Sequence, residues 1–469
     1  MKTRALGLIE ALNSGDQKIL GDFLQKNLAP EVLKDHSASQ LATTFLSTAH
    51  LTGKLKFVKD LATKGSETVF QVANENKQDF RFQVVFQAAD PYLMLGLRIT
   101  PINAKPVKSY TAWKDLTDLV GQIRDYEQLP ALGIGVVAGD HIQVAVSGVR
   151  RIGGTSNVEA DDRWLIGSCT KSMTATMIAC LVDKGVLKWD LTLGEALPDV
   201  PMRDEAKGIT LLQLLQHRSG LPQDQTMDDA FVTRVVGDAK APFDVRERYV
   251  RDVLQREPLA KPGAEMHYSN AGYAIVGHIA ERYAKTTYED LMQTLLFNPL
   301  KMETARLATP GSPGTPGAPD VAGQKPEIMG HSLGDKGLRP NILNDAGLTA
   351  MIAPAGIGVS MSLPDLARYA QFHVQGLAGK VRLMRPETFA VLHTYPKDGN
   401  YACGWVLDSK TAATPFETHN GSDGTFFADI ALFPRENLAI VAATNCAPTT
   451  NPAPTMQAIL AAYTRQVSH

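Results

Sequence analysis

Apolar and polar residues alternate around residues 80–86, where Phe80, Phe82, Val84 and Phe86 are interleaved with Arg81, Gln83 and Gln87. A period of two predicts a half-buried antiparallel strand. Leu93, Leu95, Leu97 and Ile99 repeat it. Short helical patterns over 5–12, 18–25 and 39–47 precede these strands, and helices followed by neighbouring strands predict an α+β domain closing near Thr100. PINAKPVKSYT then reads as a linker, so an accessory domain is expected over 1–105 and a second domain over 106–469. From Ala112 a helix is expected to about Tyr126, then strands over 131–137 and 141–149 joined at Ala138-Gly139-Asp140 as a β-hairpin. Helical patterns run from 168 to about 297. Strands return over 404–407, 425–433 and 438–443, before a final helix from about Pro452. Early and late strands are therefore expected to share one sheet, with a helical lobe over roughly 188–325 inserted between them. The Pro/Gly-rich segment over 309–326 predicts a loop, either a surface excursion or a lid at a substrate entrance.

Charge narrows the partners. Lys and Arg number 47 against 49 Asp and Glu, a formal net charge of -2. No long run of like charges supplies the basic field that nucleic acid or an anionic membrane requires. No stretch approaches the roughly 18 unbroken apolar residues of a membrane span. The opening MKTRALGLIEALNSGD has only a short, polar-interrupted apolar run and does not read as a secretory signal. The compartment stays open between cytoplasm and, after trimming of a leader, periplasm or exterior. Four cysteines form no C-x-x-C pair or zinc spacing, and no H-E-x-x-H, G-x-G-x-x-G or P-loop pattern occurs, so neither metal nor cofactor is expected.

Three segments carry candidate chemistry. In LIGSCTKSMTATMIACLVDKG, Ser168 and Lys171 stand three apart at the start of a helical run and share a face. A serine near a helix N-terminus lies beside unpaired backbone N–H groups, and an uncharged lysine amine next to it can take its proton. In KPGAEMHYSNAGYAIVGHIAE, Tyr268 precedes a helix expected from about Ala271. A phenol beside an ammonium group becomes a candidate proton shuttle. Asn270 can offer its amide to a substrate carbonyl; alternatively Ser269 or Asn270 is a helix cap and Tyr268 packs in the core. In ETHNGSDGTFFADIALF, His419, Asn420 and Gly421 run into Ser422. A glycine there lets substrate approach the backbone, and the N–H of Ser422 can complete an oxyanion hole with that of Ser168.

In this order and at these separations, the three segments resemble the serine β-lactamase and penicillin-binding-protein superfamily, whose first box is S-x-x-K. The resemblance is nearest to the branch of class C β-lactamases, family VIII esterases and D-aminopeptidases. LLQLLQHRSGLP, APAGIGVSMSLPDLARYA and YACGWVL extend it from roughly Thr111 to the C-terminus. It implies an antiparallel sheet flanked by helices with an all-helical lobe, and a periplasmic or secreted location. Ser168 would be the nucleophile, Lys171 and Tyr268 the acid/base pair. Asn270, Gly421, Ser422 and His419 would bind substrate, with His217 stabilising a turn. The first domain, through ALNSGD at 11–16, resembles the nuclear-transport-factor-2-like superfamily. That likeness implies an accessory module, with a homodimer through it as one possibility and a ligand pocket as another.

One departure sets the expected substrate. Where the β-lactamases of the family carry Lys-Thr-Gly, this chain has His-Asn-Gly, replacing a permanent cation with an imidazole. A largely neutral histidine anchors a penicillin carboxylate poorly. The expected activity is therefore that of a carboxylesterase on a small ester; a D-aminopeptidase or amidase and a β-lactam hydrolase are the enzymatic alternatives. A penicillin-binding or sensing protein with little turnover is the alternative from another class. Gly330-His331-Ser332-Leu333-Gly334 spells G-x-S-x-G, but no apolar strand precedes it, and Gly337 and Pro340 oppose a following helix, so Ser332 is not expected to be a nucleophile.

Overall fold

The computed structural model describes residues 1–446 apart from 36, 40, 43–44, 47–51, 76, 103–107, 109, 222–228, 309, 311–325, 335–336, 342–350 and 410–414. The helix expected from Pro452, nearly all of the 309–326 segment and much of the helix expected over 39–47 lie outside the described residues. Two units divide the chain, one built chiefly from Met1–Lys108 and one beginning at Ser109. Among the described residues no helix is long and apolar enough to cross a membrane.

In the first unit, helices α1 (Lys2–Asn13) and α2 (Gln17–Asn27) precede an antiparallel sheet of β1 (Leu55–Lys64), β2 (Glu67–Asn74), β3 (Asp79–Phe86) and β4 (Met94–Pro101), in that order. The break between the helices falls at Gly15, with φ +66°, and Asp16 caps α2 by accepting the Ile19 N–H at 2.9 Å. The alternating Phe80, Phe82, Val84 and Phe86 of β3 pack with Leu8, Leu12, Leu20 and Leu24. β1 escapes sequence reading because two bulges, between Phe57 and Lys59 and between Asp60 and Ala62, break its period of two.

The second unit opens with α3 (Leu116–Glu127) and the hairpin of β5 (Ala131–Ala138) and β6 (His141–Gly148), which turns at Gly139 with φ +61°. Far along the chain come β12 (Val406–Asp408), β13 (Phe416–Ser422), β14 (Phe427–Phe433) and β15 (Leu438–Thr444). Early and late strands form one antiparallel sheet, ordered β12-β13-β14-β15-β5-β6. Alternate residues of β14 serve two cores: Ala431 and Phe433 face Leu119, Val120 and Ile123 of α3, while Ile430 and Leu432 join the larger core.

That larger core holds α4 (Thr170–Asp183), α5 (Asn270–Ala284), α6 (Leu363–Leu377) and α7 (Pro386–Leu392). From Thr170 to Leu181 every α4 residue is buried, so the helix is a central rod without an exposed face. α6 lies close on β5 because Gly133 and Gly135 face it; a Cβ on Gly133 would stand 2.1 Å from a Leu363 methyl. The structure is mixed α+β, as expected.

Several strands depart from expectation. The strand expected over 404–407 begins only at Val406, because Gly404, at φ +82°, turns against α4, where a Cβ would meet the Ser172 backbone at 2.4 Å. The strand expected from Thr425 begins at Phe427, since Asp423 folds residues 423–426 into a turn by accepting the N–H groups of Thr425 and Phe426, each at 2.8 Å. β13 was not foreseen as a strand. Nor were the three-stranded sheet of β7 (Trp164–Leu165), β11 (Val359–Met361) and β8 (Arg306–Leu307), or the two-stranded sheet of β9 (His331–Gly334) and β10 (Gly337–Pro340).

Candidate active site

Ser168 lies half-buried in a 3-10 turn, Gly167–Cys169, that feeds directly into α4. Lys171, on the first turn of the helix, is fully buried. Its Nζ lies 2.9 Å from Ser168 Oγ, 2.5 Å from Asn270 Oδ1 and 3.0 Å from the Gly356 carbonyl. Asn270 Oδ1 and the Gly356 carbonyl can only accept and so fix two of the amine's N–H groups; when uncharged, the amine turns its lone pair to Ser168 and can take the hydroxyl hydrogen. Ser168 and Lys171 are thus brought together at the predicted spacing, and Asn270 joins them through its oxygen, from the start of α5.

Tyr268 stands just ahead of α5. Ser269 caps that helix, its hydroxyl accepting the Gly272 N–H at 3.0 Å. Lys171 Nζ sits 4.8 Å from the centre of the Tyr268 ring. Under that ring, at 4.2 Å between centres, lies His217, fully buried and at φ +55°. Its Nδ1 accepts the Ser269 N–H at 3.1 Å, and its carbonyl accepts the His267 N–H at 2.7 Å. Burial, with help from the charge on Lys171, holds the imidazole well below its ordinary range and therefore neutral.

The third segment meets the first backbone to backbone. A Cβ on Gly421 would stand 2.2 Å from the Ile166 carbonyl oxygen and 2.3 Å from Ser168 N. A Cβ on Gly167, at φ +51°, would stand 2.4 Å from Ser422 N. Only glycine at both places lets β13 close on the nucleophile turn. The N–H groups of Ser168 and Ser422 lie on the two backbones that meet there. The Ser422 hydroxyl is occupied in its own turn, donating to the Phe426 carbonyl at 2.6 Å and accepting the Gly424 N–H at 3.0 Å.

His419 lies deeper than its expected place lining the pocket, at 5% exposure. Nδ1 lies 2.7 Å from the Asn420 carbonyl, and Nε2 lies 3.0 Å from the Tyr401 hydroxyl. The carbonyl can only accept, so Nδ1 carries the hydrogen and Nε2 takes that of Tyr401. Burial, reinforced by Lys171, pushes the imidazole down to about 3. β13 therefore presents no cation at neutral pH. Tyr401, within YACGWVL, joins the site without a sequence signal of its own; its ring lies 4.6 Å from His217 and 6.3 Å, edge-on, from Tyr268.

Cys169, between the two reactive residues, is fully buried, and burial holds its thiol well above the ordinary range. It donates to the His419 carbonyl at 3.2 Å and so ties α4 to β13. The other cysteines, Cys180, Cys403 and Cys446, are also buried and unpaired.

A family model described as Beta-lactamase matches residues 116–464. The chain belongs to this family of serine hydrolases. Penicillin-binding protein 4 of Amycolatopsis lactamdurans is 26% identical over 349 residues, 71% of this chain and 84% of that protein. Unguisins hydrolase ungD' of Aspergillus campestris is 24% identical over 348 residues, and the match spans 71% of this chain and 61% of that relative. Among solved structures, a D-stereospecific amidohydrolase from Streptomyces is similar at TM-score 0.58 and 22% identity, covering 74% of this chain and 98% of its own.

Proposed function

We propose that the protein hydrolyses small, uncharged carboxylic esters through an acyl-enzyme on Ser168. The observation that carries this is the 2.9 Å contact from Lys171 Nζ to Ser168 Oγ beneath the Tyr268 ring, beside a strand that bears no cation. Ser168 Oγ attacks the ester carbonyl while its proton passes to the Lys171 and Tyr268 pair. The oxyanion is received between the N–H groups of Ser168 and Ser422. The carbonyl re-forms as the alkoxide leaves with a proton from the pair. Water then attacks the acyl carbon, gives its proton to the pair, and releases the acid and Ser168.

The amide of a D-residue is the second reading, favoured by the similarity to the D-stereospecific amidohydrolase. A β-lactam is disfavoured because its carboxylate would find a neutral His419 where the β-lactamases of the family place lysine. The test is turnover of a chromogenic short-chain ester, a D-amino-acid anilide and a chromogenic cephalosporin, with peptide masses from quenched samples. The ester is expected to turn over fastest and leave a transient acyl group on Ser168. A faster anilide makes the enzyme an amidase, and a lasting cephalosporin adduct makes it a penicillin-binding protein. An acyl group on any other residue overturns the assignment of Ser168.

A further inference from the structure

Behind the nucleophile helix runs a second chain of buried polar groups that takes no part in the chemistry above. Thr176, on α4, donates its hydroxyl hydrogen to the Ser172 carbonyl at 2.9 Å and stands 3.2 Å from His373 Nε2, on α6. His373 Nδ1 lies 3.0 Å from His393 Nε2, just past the end of α7. His393 Nδ1 lies 2.5 Å from Glu417 Oε2, on β13. Thr176 and His373 are fully buried, and the His393 and Glu417 side chains are 4% and 9% exposed. Trp405 stacks on His393 at 5.8 Å and on Tyr369 at 6.4 Å, closing the chain off from solvent.

Counting donors fixes the protons. The Ser172 carbonyl can only accept, so with the Thr176 hydrogen there, both other neighbours of the Thr176 oxygen, the Tyr369 hydroxyl at 3.1 Å and His373 Nε2, must donate to it. Burial keeps His373 neutral, so its Nδ1 accepts and His393 Nε2 donates. Glu417, as a carboxylate, can only accept, so His393 Nδ1 donates as well. One proton beyond the neutral imidazoles is thus held between His393 and Glu417, and the buried chain is neutral overall. The opposite sense, with Thr176 turned from Ser172 to His373, holds one proton fewer and leaves the Glu417 charge uncompensated in the core, which burial opposes.

We propose that the Glu417–His393–His373–Thr176 chain is a positioning device for the reaction: it clamps β13 to α4 and so sets the spacing of the Ser168 and Ser422 N–H groups. Glu417 is four residues before Gly421 on the same strand, and Thr176 is in the second turn of α4, the helix into which the Ser168 turn feeds. The inference rests on the reading of Ser168 as nucleophile with those two N–H groups as its oxyanion site.

The test uses the full chain and its E417Q, T176V, T176S and S168A variants. A fluorophosphonate, whose phosphoryl oxygen occupies an oxyanion site, reports the labelling rate of Ser168. Kinetics on the ester report kcat and KM, and histidine ring nitrogen NMR counts the N–H groups of His393. Two N–H groups on His393 are expected in the unaltered protein and one in E417Q. E417Q and T176V should each lose about tenfold in labelling rate and in kcat, with KM within about twofold, as follows when buried hydrogen bonds are lost and reacting groups are displaced. T176S keeps the hydroxyl and should restore most of the rate. Equal rates for T176V and T176S, wild-type labelling of a folded E417Q, or a single N–H on His393 in the unaltered protein each overturn the clamp. Labelling that persists in S168A instead overturns the reading of the nucleophile.

Discussion

Ser168 and Ser332 both stand inside short patterns associated with nucleophilic serine, S-x-x-K and G-x-S-x-G, yet the backbone treats them differently. At Ser168 a positive-φ glycine turns the chain into a helix, so a residue three positions on returns to the same face, and Lys171 is there with its amine on the hydroxyl. At Ser332 the chain is extended in β9, paired to β10, and neighbours along a strand point to opposite faces. The nearest base, His331, is spent on structure: Nδ1 lies 2.7 Å from the Asn445 carbonyl, and Nε2 accepts the Ile152 N–H at 3.0 Å. A Cβ on Gly330 would strike the Thr425 side chain, so the first glycine of that pattern serves close packing rather than a nucleophile elbow. A motif acquires chemistry from the periodicity of the element that carries it.

Breaking the contrast at its strongest point, Ser168→Ala should lower kcat by roughly 10⁴-fold or more in an ester assay, since nothing else replaces the nucleophile. Lys171→Ala should lose roughly 10³-fold by the same assay, within the range for removing a general base. A loss under tenfold would place the base elsewhere. Gly421→Ala sharpens the comparison without touching a side chain that reacts. Its Cβ would force β13 away from Ser168 N, and kcat should fall by roughly 10²-fold, the scale of one lost oxyanion donor.

Much of this was legible in sequence. The alternation in β3 was visible because one face is core and the other solvent, and the Ser168–Lys171 pairing because it is local to one turn. β13 was not, because its Thr418, His419, Asn420 and Ser422 serve polar partners and the neighbouring backbone rather than a simple apolar face. The ring cluster of His217, Tyr268 and Tyr401 was equally hidden: its members are far apart in the chain and meet only when the helical lobe packs against the sheet. The depth of His419 follows from that packing, which no spacing rule reports.

Acidification separates the two serine regions more gently. His217 and His419 near Ser168, and His373 behind it, are held below the ordinary imidazole range by burial. The unfolded chain binds a proton on each below about pH 6.5, while the folded protein does not. Their contribution to stability is therefore complete above about 6.5 and is lost progressively as pH falls below it, by about 1.4 kcal/mol per unit for each imidazole. Asp429, pushed up to about 7 by burial, acts in the opposite sense and offsets one of the three. His331 and Asp423 shift in opposing senses as well. Urea midpoints should fall between pH 6.5 and 4.5, with a shallower slope in His419→Gln; equal slopes would mean that His419 already titrates in the native state. The smallest effect is expected from Ser332→Ala, whose ester turnover should stay within about twofold of the unaltered protein, as surface-type changes away from a site do.

The burial of all four thiols has a practical side. Cys169, Cys180, Cys403 and Cys446 are buried, and each thiol is held protonated above its ordinary range. A cysteine introduced at an exposed position such as Lys188 would then be the one thiol to react quickly with a maleimide. Fluorophores or spin labels can therefore be attached at chosen points without first stripping the native cysteines from the core, leaving Cys169 in place between the residues whose motion such a label would follow.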